Sequence, residues 1–160
     1  MIKIIATLLT IFAFNISHAK TVNVGIILGF TGPIESLTPD MAAGAELAFT
    51  EASNSGKLLN GSNINIIRAD STCIDSAAAT SAAEGLVSQG VTAIMGADCS
   101  GVTGAILSNV AVPNGVPMIS PSATSPGLTT AEDNGLFFRT APSDARGGEV
   151  LADITADKVS

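Results

Sequence analysis

The chain has 160 residues, 46% of them apolar and 13% charged, with a formal net charge of −7 and no Trp or Tyr. That length suffices for one domain with its own core. The acidic balance argues against a nucleic-acid partner, because neutralising phosphates needs a surplus of Lys and Arg.

Lys3 precedes an apolar run from residue 4 to 16, and Ser17-His18-Ala19 follow it. A basic start, a short apolar core and small residues before Lys20 predict a cleaved secretory signal over residues 1–19. The run is too short for an ordinary membrane span. No Cys stands at the cleavage point, so nothing suggests a lipoprotein.

Residues 22–28 (VNVGIIL) are β-branched and almost continuously apolar, which predicts a parallel strand covered on both faces. Gly29 to Pro33 break it. Thr38-Pro39-Asp40 predict a helix start, with Thr38 as N-cap and Pro39 in the first turn. Met41, Ala45, Ala48, Phe49 and Ala52 recur at helical spacing, and Asn54-Ser55-Gly56 stop the helix. A second strand is expected over 64–69 (INIIRA). Asp75-Ser76 then open an Ala-rich helix that runs to about Ser88.

The third strand, 91–95, ends in Gly96-Ala97-Asp98-Cys99-Ser100-Gly101, and a helix follows to about Val112. A strand that ends in a small-residue turn and opens a helix gathers free backbone N–H groups at one point, and Ser100 adds a hydroxyl. A fourth strand (116–119) leads into the hydroxyl-rich stretch 120–126. A fifth (136–140) precedes a last helix, capped by Ser143-Asp144 and running to about Asp157. Strands alternating with helices in this way predict an α/β fold: a parallel sheet with helices on both faces.

In such sheets ligands bind beyond the carboxyl ends of the strands. Three loops then form the candidate cleft: 29–37, 98–101 and 120–125. Ser100, Ser122, Thr124 and nearby backbone N–H groups are its candidate ligand contacts, a set suited to a carboxylate. The carboxylates of Asp70, Asp75 and Asp98 could meet at the sheet edge, but a solvated rim is the favoured expectation. Catalytic chemistry is poorly served. The only histidine is His18, inside the expected signal, so Ser-His-Asp and Cys-His machinery is excluded from the rest of the chain. Gly29-x-x-Gly32 is not a dinucleotide fingerprint, and no Walker-type segment is present. No cofactor or metal is expected. Cys73 and Cys99 both follow strands; in an oxidising compartment an even count suggests a bridge, with two buried free thiols as the alternative.

The strings VGIILGFTGP, DMAAGAELAFTEAS, ADSTC, GADCSGVTGAI, GVPMISPSATSPGLT and FFRTAPSDARGGEVLAD together resemble the amino-terminal lobe of the Leu/Ile/Val-binding-protein family. These are periplasmic type I solute-binding proteins of amino-acid ABC transporters. The resemblance covers essentially all of residues 20–160. It implies two Rossmann-like lobes joined by three crossovers and closing on a ligand, with Cys73 and Cys99 bridged. It also implies that Ser100 holds the ligand's carboxylate, with Ser122, Ala123 and Thr124 around its ammonium and carboxylate. Leu37 stands at about the position where many members carry an aromatic residue.

Family members are more than twice this length, so the resemblance implies a truncated, single-lobe piece of a longer reading frame. Residues 20–141 would form the lobe, and 142–160 a helix leading towards a second lobe. The implied function is non-catalytic: a periplasmic receptor that passes amino acids, or related small polar solutes, to a membrane permease. The alternative is a ligand-sensing domain of a receptor, or an amide-responsive regulator, on the same fold.

Overall fold

A computed structural model describes residues 20–58 and 61–159. The expected signal over 1–19 lies outside the described residues, as does Ser160. Five parallel strands form one sheet: β1 (Thr21–Leu28), β2 (Asn63–Asp70), β3 (Val91–Gly96), β4 (Met118–Ser120) and β5 (Phe137–Arg139), in the order β2-β1-β3-β4-β5. The chain runs outwards from β1 to β2, returns past β1 to β3, and continues to β4 and β5. The direction of winding therefore changes beside β1, which puts the topological switch point between β1 and β3. Helices α1 (Thr38–Asn54), α2 (Ser76–Ser88) and α3 (Ser100–Ile106) follow the first three strands; β4 and β5 are joined by a single 3-10 turn (Pro126–Thr129) instead of a helix, and α5 (Asp144–Val159) follows β5.

Alternate residues of each strand serve two cores. Ile27, Ile94 and Met118 pack with Ala79, Ala83 and Leu86 of α2 and with Val102 and Ile106 of α3. Ile26 and Leu28 point the other way, against Ala42, Met41, Ala45 and Phe49 of α1. Ile26, Ile27 and Leu28 are fully buried, each stabilising the fold by about 1.5–3 kcal/mol relative to exposure. This two-sided burial is why the second half of β1, from Val24 to Leu28, carries no polar residue. The α1 face is covered less far: Ile119 of β4 and Phe138 of β5 are 44% and 57% exposed.

Two glycines make the packing possible. A Cβ at Gly25 would lie 2.7 Å from Cδ1 of Leu86, so its absence lets α2 sit close on β1. Gly96, with φ +128°, ends β3 where a Cβ would meet the carbonyl oxygen of Ile27.

The element boundaries differ from expectation by one or two residues, with β4 and β5 shorter than predicted. Two local readings are corrected. Thr38 is not the N-cap of α1; Leu37 holds that place without a side-chain cap bond. Thr38 is instead fully buried, and its hydroxyl donates to the carbonyl oxygens of Gly29 (3.1 Å) and Glu35 (3.4 Å), tying the helix to the end of β1. The helix after Ser100 is not uniform either. It widens to π-helical spacing over Leu107–Ala111 and closes with one α turn, α4 (Val112–Asn114), before Gly115 reverses the chain at φ +66°. Asp75 caps α2 as expected, its carboxylate accepting from the amides of Ala77 and Ala78 at 3.0 Å each.

Candidate functional site

The parallel arrangement gathers the strand-end loops along one edge of the sheet. Asp98, just past β3, organises three of them. It is only 3% exposed. One carboxylate oxygen accepts from the amide of Gly29 (2.8 Å) at the end of β1. The other accepts from the Ser71 hydroxyl (3.3 Å) at the end of β2 and from the amide of Cys99 (2.9 Å). Asp98 therefore does not belong to a solvated rim. The apolar packing beneath it removes water, and hydrogen bonds from three donors replace hydration.

The rim also holds the Cys73–Cys99 disulfide, with Cα atoms 5.2 Å apart, linking the β2 and β3 loops. Asp70 sits beside it. Burial pushes its carboxyl up, but the Thr31 hydroxyl (2.6 Å) and the amides of Thr72, Thr31 and Phe30 outweigh this and hold it below its ordinary range. Asp75 is used as the helix cap, so the three carboxylates do not share one site.

The loop after β4 lies against the β3 loop. The Ser120 hydroxyl, fully buried, donates to the carbonyl of Ala97 and accepts from the amide of Ala123 (2.9 Å). Ser122 donates its hydroxyl to the carbonyl of Asp98 (3.0 Å). Ser100 Oγ accepts from the amides of both Thr124 and Ser125, each at 3.1 Å. Thr103, buried in the first turn of α3, donates to the carbonyls of Ala97 (3.1 Å) and Cys99 (2.9 Å) and steadies the same turn.

Ser100 and Thr124 are thus brought together, 24 residues apart in sequence, with Ser122 beside them on Asp98. Ala123 is fully buried beneath the loop. The Thr124 hydroxyl donates to Asp144 (2.8 Å). Leu37 is 57% exposed on the neighbouring β1 loop and takes no part in this hydrogen-bonded group. Arg139, at the end of β5, donates to the carbonyls of Ala123 (3.3 Å) and Ser125 (2.8 Å).

Sequence reasoning did not single out Asp98 or Arg139 as organising residues. A carboxylate directly after an apolar central strand, in a chain so poor in charge, was the available signal for Asp98. For Arg139 there was none, since its partners are backbone carbonyls.

Chemically the rim offers hydroxyls and amides. Two amides occupy the acceptor positions of Ser100 Oγ, and among the described residues no acceptor takes its proton. Such a hydroxyl can donate to an anionic or carbonyl oxygen. Among the described residues no group of three His, Cys, Asp or Glu side chains is placed to hold a metal ion. An open apolar groove of about 340 Å³ lies between α1 and β3–β4, lined in part by Met41, Phe49, Met95 and Ile119. It is on the face of the sheet, and none of Ser100, Ser122 or Thr124 lines it.

A doubly wound sheet with a hydroxyl-and-amide rim at its carboxyl edge defines a lobe of the open α/β type. Residues 21–159 match the family model described as periplasmic binding protein, and the chain belongs to that family of solute-binding proteins. Among curated relatives, the Leu/Ile/Val-binding protein of Citrobacter freundii is 29% identical over 145 residues, covering 91% of this chain and 38% of the relative. The Leu/Ile/Val-binding protein BraC3 of Rhizobium johnstonii is 33% identical over 150 residues, covering 92% and 39%. The chain thus spans about two-fifths of the length of these relatives. Among solved structures, the branched-chain amino acid transporter substrate-binding protein LivJ of Streptococcus pneumoniae, in complex with isoleucine, superposes with a TM-score of 0.69. It is 34% identical, covering 78% of this chain and 35% of that one. An ABC transporter substrate-binding protein of Desulfitobacterium hafniense, in complex with Leu, gives 0.71 at 26% identity, covering 87% and 39%. The expected fold class, a parallel α/β sheet of the type I periplasmic-binding-protein lobe, holds.

Proposed function

We propose that this chain forms the amino-terminal lobe of a periplasmic receptor that binds an amino acid of branched-chain type, or a related small polar solute, and delivers it to the membrane permease of an ABC importer. The observation that carries the reading is the Ser100 hydroxyl. Both of its acceptor positions are filled by loop amides, and its proton is left to donate at the carboxyl edge of the sheet. A ligand carboxylate is the natural acceptor there, since charge-assisted hydrogen bonds are stronger than neutral ones. Ser122 and Thr124 supply the wall beside it, with Ala123 buried behind them, and Leu37 borders the ligand's side chain. A second lobe, reached through α5, closes over the ligand and removes it from water, which is what makes binding tight.

The names of the relatives support amino acids as the ligand class, and the family's name supports the periplasm as the compartment. A thermal-shift screen of the intact protein against the amino acids, short amides and urea tests the reading. A rise in melting temperature with one or more branched-chain amino acids is expected. No response to any of them would overturn it.

A further inference from the structure

The two amides that meet Ser100 belong to two successive peptide units, and each unit is held from its opposite side. The N–H of Thr124 shares a peptide plane with the C=O of Ala123, which accepts from Arg139 at 3.3 Å. The N–H of Ser125 shares a plane with the C=O of Thr124, which accepts from the amide of Asp144 at 3.0 Å. In a planar trans peptide the C=O and N–H point in opposite directions, so fixing one aims the other. Arg139 grips the loop further through the carbonyl of Ser125 (2.8 Å) and the hydroxyl of Thr129. Among the described residues no carboxylate lies within ion-pair distance of its guanidinium. Its charge is spent on backbone carbonyls, and a cation on a C=O makes the N–H of the same unit a better donor. Asp144 adds a second tie, accepting the Thr124 hydroxyl at 2.8 Å.

We infer that Arg139 is a positioning residue for the carboxylate site: through the 123–124 peptide it aims the Thr124 amide at Ser100 Oγ and so commits the Ser100 proton outward to the ligand. One guanidinium nitrogen, Nη1, donates to both carbonyls while Nη2 holds the Thr129 hydroxyl in the same plane, a rigid three-point grip that a freely rotating lysine ammonium does not reproduce. The effect on affinity rests on the function proposed above; the effect on the loop does not.

The test compares wild type with Arg139→Met and the milder Arg139→Lys in the intact protein. Residue-resolved hydrogen exchange without ligand reads the loop. The Thr124 and Ser125 amides should exchange at least tenfold faster in Arg139→Met, and by less in Arg139→Lys, while amides of β1 keep their wild-type rates. Calorimetry with L-leucine reads the site: Arg139→Met should weaken binding about tenfold, with Arg139→Lys between it and wild type. Unchanged exchange at Thr124 and Ser125 overturns the inference, and so does acceleration spread evenly over the sheet, which marks a merely structural role. If Arg139→Met does not fold, the Lys variant carries both readings. Failure of wild type to bind L-leucine while the loop exchange responds as expected overturns the ligand assignment and leaves the positioning role standing.

Discussion

Replacing Asp98 should destabilise the fold strongly through lost hydrogen bonds. Its carboxylate accepts from the Gly29 amide, the Ser71 hydroxyl and the Cys99 amide. Gly29 and Ser71 are buried, so Asp98→Ala strands two donors away from water, while the half-buried Cys99 amide can recover one. An unsatisfied buried donor costs about 1–3 kcal/mol, and bonds to a charged acceptor lie at the upper end of the net range. The expected loss is about 3–5 kcal/mol for Ala, a large share of the ~5–15 kcal/mol that stabilises a domain. Asp98→Asn keeps the shape but turns one acceptor into a donor facing the Gly29 amide or the Ser71–Cys99 pair, and should cost about 1–3 kcal/mol. Urea unfolding at constant m checks both: with m of about 1–3 kcal/mol/M, the Ala midpoint should fall by about 2 M. An Asn variant as stable as wild type would refute the view that Asp98 is an anionic hub.

Other consequences follow from neighbouring contacts. Gly96→Ala should prevent folding, because its Cβ would overlap the Ile27 carbonyl in a backbone conformation that L residues avoid; a soluble variant with wild-type circular dichroism would contradict this. The disulfide closes a loop with a sequence separation of 26, so its reduction should lower stability by about 3–4 kcal/mol. Urea unfolding with and without reductant measures that loss, and thiol titration of the denatured, unreduced protein should find no free thiol. Asp70, held below its ordinary range, stabilises the fold above the unfolded carboxyl value of about 3.9, and that contribution disappears as pH falls through its lower folded value. Thr31→Val removes the 2.6 Å hydroxyl bond, so the Asp70 titration followed by NMR should move upward and the acid limb of stability should flatten. An unmoved titration would contradict the assignment.

The strands and helices were legible because their signals are local. β1 reads as a nearly continuous apolar run because both faces of its second half are covered, and Asp75-Ser76 announces α2 through a cap bond that spans two or three residues. Thr38 misled because the same residue type caps helices and bonds carbonyls; which it does depends on the Gly29 carbonyl, nine residues away and delivered by the end of β1. Asp98 misled for a similar reason. Acidic residues in loops are usually solvated, and nothing near it in sequence reveals that Gly29 and Ser71 come from two other strand ends to meet it. Ser100 and the 120–125 loop could be named as neighbours from the parallel topology alone. That Ser100 Oγ accepts two amides, and that Arg139 and Asp144 hold those amides from behind, depends on loop geometry that no spacing encodes.

Calorimetric titration of L-leucine into the intact protein and its Ser100→Ala variant bears most directly on the cleft. Loss of the Ser100 proton donor should weaken binding by about 1–3 kcal/mol, roughly fivefold to 150-fold, with the fold preserved. Equal affinity in the two proteins would remove Ser100 from the ligand's surroundings and contradict the account.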